Sequence, residues 1–193
     1  MTLRLIGGLA LVMLFAATQQ ACGQEKYERE HRLKPEDVPQ PALDFIVGME
    51  KDVNVRWYWE EGLDRASIEA KFKLDNRNYS VEFDTTGLLE DLEIELALSE
   101  LGPIEHTPFS FQIAEDCEKH KIRKLQIQYN GTAEEMLAWI TKGGPSPKPI
   151  RYELVVKCTS EGETTLYEYL FSENLDKLSR TEIVFKNSSN LEY

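Results

Sequence analysis

The sequence predicts an α+β protein of two tandem modules, each one helix packed on a four-stranded antiparallel sheet, with a short extra helix inserted in the second module. Three observations predict it. Long stretches alternate apolar and charged residues with period two. Two shorter stretches carry apolar residues at helical spacing, and the order helix then strands occurs twice. An apolar share of 41% is ample for a core and argues against overall disorder.

Residues 1–23 read as a signal peptide. Arg4 precedes the apolar run from Leu5 to Ala17, which is too short to span a bilayer comfortably, and Ala21-Cys22-Gly23 is a small-residue cleavage site. Two routes stay open. Simple cleavage leaves Gln24 first and a periplasmic or secreted protein. Lipidation of Cys22 gives an outer-membrane lipoprotein, although Gln19 stands where lipoprotein signals usually carry an apolar residue. No later stretch is long and apolar enough for a membrane helix. Removing residues 1–23 takes away Arg4 and no acid, so the formal charge moves from −12 to −13. Such acidity disfavours nucleic acid and anionic membranes, whose phosphates need Lys and Arg. It fits a basic partner or plain solubility. About 170 residues then remain, enough for one compact domain or two small ones.

Residues 24–33 are charged and aperiodic and read as a flexible leader. The first module spans 34–100. Its helix starts in the proline-rich stretch from Pro35, where a missing N–H is harmless, and Leu43, Ile46 and Val47 carry the apolar spacing to about Lys51. Four strands follow. The first alternates through Val53, Val55, Trp57 and Trp59, the second through Ile68, Ala70, Phe72 and Leu74, and the third through Tyr79, Val81 and Phe83; the fourth runs from about Leu88 to Leu96. Turns fall at 61–64, 75–78 and 84–87, the last with Gly87 suited to positive φ.

The second module spans 101–193. Phe109, Ile113 and Cys117 mark its helix, ending near Lys121. Strands are expected over 122–129, 150–159, 164–172 and about 178–186, with Asn174 as the positive-φ residue of the last turn. The insert, 130–149, breaks the symmetry. Thr132 and Glu135 form a capping-box pattern ahead of a short helix to Thr141, and a Gly/Pro-rich stretch follows.

The run Lys34-Pro-Glu-Asp-Val-Pro, then Ala42-Leu-Asp-Phe-Ile46, Ala66-Ser-Ile-Glu-Ala-Lys-Phe72, Tyr79-Ser-Val-Glu-Phe-Asp84 and Gly87-Leu-Leu-Glu90 resembles the PepSY-like proteins of Bacteroidetes. The resemblance covers residues 34–100 well and 107–186 less well. It implies a small exported protein with a helix on an antiparallel sheet, often in tandem. The architecture is similar to that of the β-lactamase inhibitor protein, so a binding or inhibitory role is implied. It supplies no functional residue position by position.

No catalytic constellation is legible. A nucleophile elbow, a His-Glu-x-x-His pair and a phosphate-binding glycine loop are all missing from the sequence. Of His31, His106 and His120, only His120 has a soft ligand nearby, Cys117, and two ligands do not make a zinc site. The acids Glu90, Asp91, Glu93 and Glu95 lack calcium-loop spacing and read as the wet side of a strand. No enzyme activity, metal or cofactor is therefore expected. Cys117 and Cys158 both point into the apolar layer, as a disulfide or as two separate thiols. Trp57 and Trp59 are in phase with the core. Met136, Trp139 and Ile140 form a stripe on the inserted helix that either caps the module or anchors a partner. Tyr58 is out of phase and faces solvent near Arg56. The expected function is protein binding, with inhibition of an exported enzyme as one form of it, through Trp139, Met136, Ile140, Tyr58 and Arg56. The alternative is a small-ligand or sensing module with Trp57 and Trp59 lining a pocket.

Overall fold

The computed structural model describes residues 24–27, 29–62, 65–100 and 103–184. The expected signal peptide, with Cys22, lies outside the described residues, as does everything beyond Val184. The fold is α+β, with three helices against one antiparallel sheet. Its strands are β1 (Gln24–Tyr27), β2 (Arg29–Leu33), β3 (Arg56–Glu61), β4 (Ala66–Leu74), β5 (Arg77–Asp84), β6 (Leu89–Glu95), β7 (Lys119–Tyr129), β8 (Ile150–Ser160), β9 (Glu163–Ser172) and β10 (Lys177–Val184). Strands β2 to β10 pair antiparallel in sequence order, and β1 adds to β10 in parallel at the far edge.

The expected pair of separate four-stranded sheets is not what forms. β6 pairs with β7 from Leu92↔Tyr129 to Glu95↔Gln126, so the sheet is continuous across the middle of the chain. Period-two alternation fixes which side chains share a face but not which strand lies beside which. The expected flexible leader is likewise replaced by strands: Glu30 lies opposite Glu60 and His31 opposite Trp59. An edge strand is held by backbone hydrogen bonds and needs no apolar alternation, so its sequence looks like a linker.

The helices all lie on one face. Helix α1 (Gln40–Gly48) buries Ala42 and Phe45, with Met49 just past its end, among Trp57, Ile68, Ala70, Phe72, Val81, Phe83 and Leu92. This corrects the expected stripe: Val47 is 77% exposed, and Leu43 and Ile46 only flank the core. The cause is the turn after β5. Gly87 has φ +89°, and a Cβ there would lie 2.9 Å from Pro39 Cβ and 3.0 Å from the Ala42 backbone nitrogen. The helix is thus seated on its small Ala42 side, which only glycine at the turn permits. The hairpin at Asp75-Asn76 has both residues at positive φ, as a two-residue turn between twisted strands requires.

Helix α2 (Pro103–Ala114) sets Phe109 and Ile113 into a second cluster with Leu125, Leu154, Val156, Tyr169 and Phe171. The Phe109 and Phe171 rings meet edge to face at 4.8 Å. This helix ends at Ala114 rather than near Lys121, because Lys119 onward is already β7. In the last turn, Leu175 and not Asn174 takes positive φ, at 67°. Helix α3 (Ala133–Lys142) carries the expected capping box, with Thr132 Oγ1 accepting from the Glu135 N–H and Glu135 Oε2 accepting from the Thr132 N–H. Although it belongs to the second half of the sequence, its fully buried Met136 sits in the first cluster. A Cβ on Gly48 of α1 would lie 3.0 Å from Leu137, which marks how closely the two helices pass.

A single residue separates β1 from β2, yet they pair with opposite edges of the sheet. Two Cα atoms two residues apart are at most about 7 Å apart, and a paired Cα is about 5 Å away, so Val184 of β10 and Glu61 of β3 lie within roughly 18 Å at this corner. Laid flat, the eight strands from β3 to β10 would hold them about 34 Å apart. The sheet is therefore curled. All three described helices occupy the side of the apolar clusters, and six polar side chains of the opposite face are buried without them, so that face is the inner one.

Candidate functional site

The curled, helix-free face gathers the second set of alternating residues. Six polar side chains there are almost fully buried with no helix above them: Ser67, Glu69, Ser80, Asp91, Glu93 and Gln126. Polar contacts with neighbours hold several of them: Glu69 with Ser80 and Lys71, Glu93 with Gln126, and Asp91 with Gln128. Two carboxylate groups result, and they differ in chemistry.

The first group lies towards the β2 edge. Glu30, Glu60 and Glu69 place carboxylate oxygens within 4.8 Å of one another, the spacing of a cation site. Lys71 fills that role: its ammonium is 2.5 Å from Glu30 Oε1 and 2.7 Å from Glu69 Oε2. Glu69 Oε2 accepts no hydrogen bond of good geometry, so its contact with Lys71 is an ion pair. Glu69 Oε1 accepts from Ser80. Burial alone would raise the Glu69 carboxyl, but Lys71 and the surrounding hydrogen bonds outweigh it and hold Glu69 below the usual carboxylate range. Burial likewise opposes charge on Lys71, and Glu69 and Glu30 override it and hold the ammonium protonated. The donor set suits a hard cation, and the ammonium already supplies one.

The second group lies at the centre, on β5 to β8. Glu82 faces Asp91 across the β5–β6 pair, Glu93 faces Gln128 across β6–β7, and Gln126 faces Glu153 across β7–β8. Glu93 Oε2 accepts from Gln126 Nε2 at 2.6 Å, and Asp91 Oδ2 accepts from Gln128 Nε2 at 3.2 Å. Burial, then Glu82, Glu153 and Glu90, push the Asp91 carboxyl up to about 8; Arg65 opposes them. Burial, then Glu153, Glu82 and Asp91, push Glu93 well above its ordinary value, and Lys124 opposes them. Three buried oxygens here meet no donor: Asp91 Oδ1, Gln128 Oε1 and Asn130 Oδ1. On the accessible rim, the Arg65 guanidinium lies 2.5 Å from Glu90 Oε2 and 3.5 Å from Glu82 Oε2.

The expected site residues fall on both sides of the sheet. Arg56 and Tyr58 are on the helix-free face, opposite Lys71 and Glu69. The Tyr58 ring centroid is 5.0 Å from the Lys71 ammonium and 6.0 Å from the Arg32 guanidinium carbon. Met136, Trp139 and Ile140 are on the other side, packed into the first core, with the Trp139 ring 4.6 Å from that of Tyr129. One surface cannot include both sets. Trp57 is 5% exposed and tilted against Phe83, and Trp59 packs at the margin of the same cluster, so both fill the core. Cys117 and Cys158 are joined as a disulfide with Cα atoms 5.5 Å apart, fastening the end of α2 to β8. Asp91 and Glu93, expected on a wet face, are buried instead. The sequence does show that they alternate with Leu92 and Ile94, but not that the sheet curls over them.

Fold and face together define an α+β protein with an open, curled antiparallel sheet, helices outside and an acidic, polar-lined inner face. No family model matches the chain, and no curated protein does. Among solved structures, it is similar to a DUF2874 family protein from Bacteroides ovatus, at 15% identity and a TM-score of 0.50 over 75% of this chain and 87% of that one. It is also similar to a DUF2874 family protein from Bacteroides uniformis, at 14% identity and a TM-score of 0.50 over 75% and 89%. The likeness is one of fold, to an uncharacterised family of Bacteroides; neither neighbour is described as PepSY-like or as an inhibitor. Among the described residues, no helix is long and apolar enough to cross a membrane.

Proposed function

We propose that this chain is an exported, non-enzymatic protein-binding module, acting in the periplasm or outside the cell, and that it holds its partner on the helix-free face of the sheet. The observation that carries this reading is the inner face itself: its polar side chains are held by hydrogen bonds and ion pairs among themselves, and the three described helices all lie on the other side. An ordered polar surface of this kind costs little further entropy when a partner docks. We further propose that the fold arose from two diverged PepSY-like modules, because β3–β6 with α1 and β7–β10 with α2 each enclose one apolar cluster. The ligand-sensing alternative needs Trp57 and Trp59 to line a pocket, and it is less favoured because Trp57 is buried in the first cluster and Trp59 packs against it.

The test is affinity capture from an envelope and secreted extract with three baits. Val155→Trp places a bulky ring on the helix-free face, on β8 opposite Lys124 and Glu168. Val47→Trp places the same ring on the outer side of α1. A partner held by the wild type and by Val47→Trp but lost by Val155→Trp is expected. Loss only with Val47→Trp would move the binding surface to the helices, and no partner with any bait would sink protein binding.

A further inference from the structure

We propose that the β6–β7 seam is a proton-operated catch: Asp91 and Glu93, reaching across it to Gln128 and Gln126, join the two halves of the sheet while they hold protons, and when they are charged the seam parts locally while each half stays folded. The device is a property of the sheet and does not depend on what the inner face binds.

The first support is where the acids lie. The β6–β7 ladder pairs only Leu92 to Glu95 with Gln126 to Tyr129, and it is the shortest antiparallel ladder among the described strands. One further backbone bond runs from the Leu96 N–H to the Leu125 carbonyl. Within the halves the ladders are longer: β4–β5 runs from Ser67↔Asp84 to Leu74↔Arg77, and β7–β8 from Lys119↔Thr159 to Tyr129↔Ile150. The apolar clusters divide along the same line, with Leu92 and Ile94 in the first and Leu125 in the second. On the inner face, acid–amide bonds cross this line. Gln126 Nε2 donates to Glu93 Oε2, Gln128 Nε2 to Asp91 Oδ2, and Asn130 Nδ2 to the Glu90 carbonyl.

The second support is the company these acids keep. Both are buried, and acids face them from several elements: Glu82 on β5, Glu90 on β6 and Glu153 on β8. Cations answer from three places. Arg65 reaches in from the loop between β3 and β4, Lys124 lies on β7, and Arg151 stands opposite Gln128 on β8. Burial and the facing acids prevail over Arg65 and Lys124, so Asp91 and Glu93 hold protons near neutral pH. Those protons bring donors to a place where Asp91 Oδ1, Gln128 Oε1 and Asn130 Oδ1 otherwise have none.

Parting the seam lets water reach both carboxyls, so the parted form ionises at lower pH than the joined form. Raising the pH favours parting by about tenfold per pH unit for each proton released, until the joined form ionises too. For Asp91 that limit is about 8. Each half keeps its own apolar cluster, and the second keeps its disulfide, so the opening can stop short of unfolding.

The experiment is a brief hydrogen-exchange pulse at about pH 6 and about pH 9.5, read residue by residue against the rate of an unstructured chain at each pH. The wild type is compared with Asp91→Asn plus Glu93→Gln, which keeps the shape of both side chains without their charge. A control of equal charge, Glu161→Gln plus Glu163→Gln, lies at the exposed β8–β9 turn. At the lower pH, all three proteins are expected to protect the amides that pair across the seam. At the upper pH, those amides are expected to exchange as in an unstructured chain in the wild type and the control, while β4 and β9 keep protection of at least about a hundredfold. The seam variant is expected to keep its seam amides protected at both pH values. Loss of protection in β4 and β9 together with the seam would mean global unfolding and overturn the catch. A seam that stays protected in the wild type, or that opens equally in the seam variant, would overturn it as well.

Discussion

The two halves of the sheet solve the same problem with different materials. On the helix side, the first half has a large apolar cluster roofed by α1 and α3, with Met136 borrowed from the second half of the sequence. The second half has only α2, a smaller cluster and a disulfide from Cys117 to Cys158. The inserted helix thus stabilises the module to which it does not belong, and a covalent link stands where a second helix would. The inner face differs in a parallel way: Lys71 and the surrounding hydrogen bonds hold Glu69 in its charged form, whereas burial and neighbouring acids push Asp91 and Glu93 towards their neutral forms.

The largest expected effect tests the covalent half of that comparison. The bond closes a loop with a sequence separation of 41. Replacing both cysteines by alanine is expected to cost about 4 kcal/mol on the chain-entropy model. Denaturant unfolding gives the magnitude, and hydrogen exchange gives the place: protection in β7–β10 should fall before that in β3–β6. A uniform loss would mean that the two halves are one cooperative unit.

Next in size is Met136→Ala. A fully buried methionine truncated to alanine costs about 3 kcal/mol. The amides expected to lose most protection are those of β3 to β5, far away in sequence. Losses confined to α3 and β8 would show that the helix serves only its own half.

A third effect, the smallest for any one pH unit, sharpens the contrast between the carboxylate groups. Asp91 has a folded value of about 8 and an ordinary value near 3.8. Between these, the folded protein keeps a proton that the unfolded chain has lost, so stability falls as pH rises through that window and levels off above about 8. The slope for one such group is at most about 1.4 kcal/mol per pH unit. Glu69 has the opposite sign: its folded value is depressed, so its contribution is present above its ordinary value of 4.5 and is lost as pH falls through the lower folded one. Asp91→Asn should make the upper limb shallower, leaving the share that Glu93 contributes, and leave the acid limb in place. Unfolding midpoints between pH 3 and 9 would reveal both, and an unchanged upper limb would remove Asp91 as its source.

Local chemistry made much of the fold legible. Gly87 announced a positive-φ turn, Thr132 and Glu135 announced the start of α3, and Phe109, Ile113 and Cys117 all entered the second cluster. What was hidden depended on partners distant in sequence. Nothing in Arg29–Leu33 says that it lies beside Trp57 and Trp59, and nothing in Met136 says which core it enters. The stripe of α1 was misplaced because Ala42 looks too small to lead, and its role is set by the approach of Gly87. The sequence set Tyr58 out of phase with the core and near Arg56, and both lie on the helix-free face. Asp91 and Glu93 were passed over because alternation marks them as polar, and only curvature makes them buried.

The crossing from β10 to β3 by β1 and β2 also orders events in time. A chain made from its N-terminus holds Gln24–Leu33 ready while β10, its partner at Lys177–Val184, is still to come. Closing that span is a contact across nearly the whole sequence, and contacts of such long range form slowly. The hairpins from β3 onward can zip in sequence order, but the inner face takes its final curvature only when the last strand meets the first. The helix-free face thus carries a completion check: its full curvature is present only on chains made at least as far as β10.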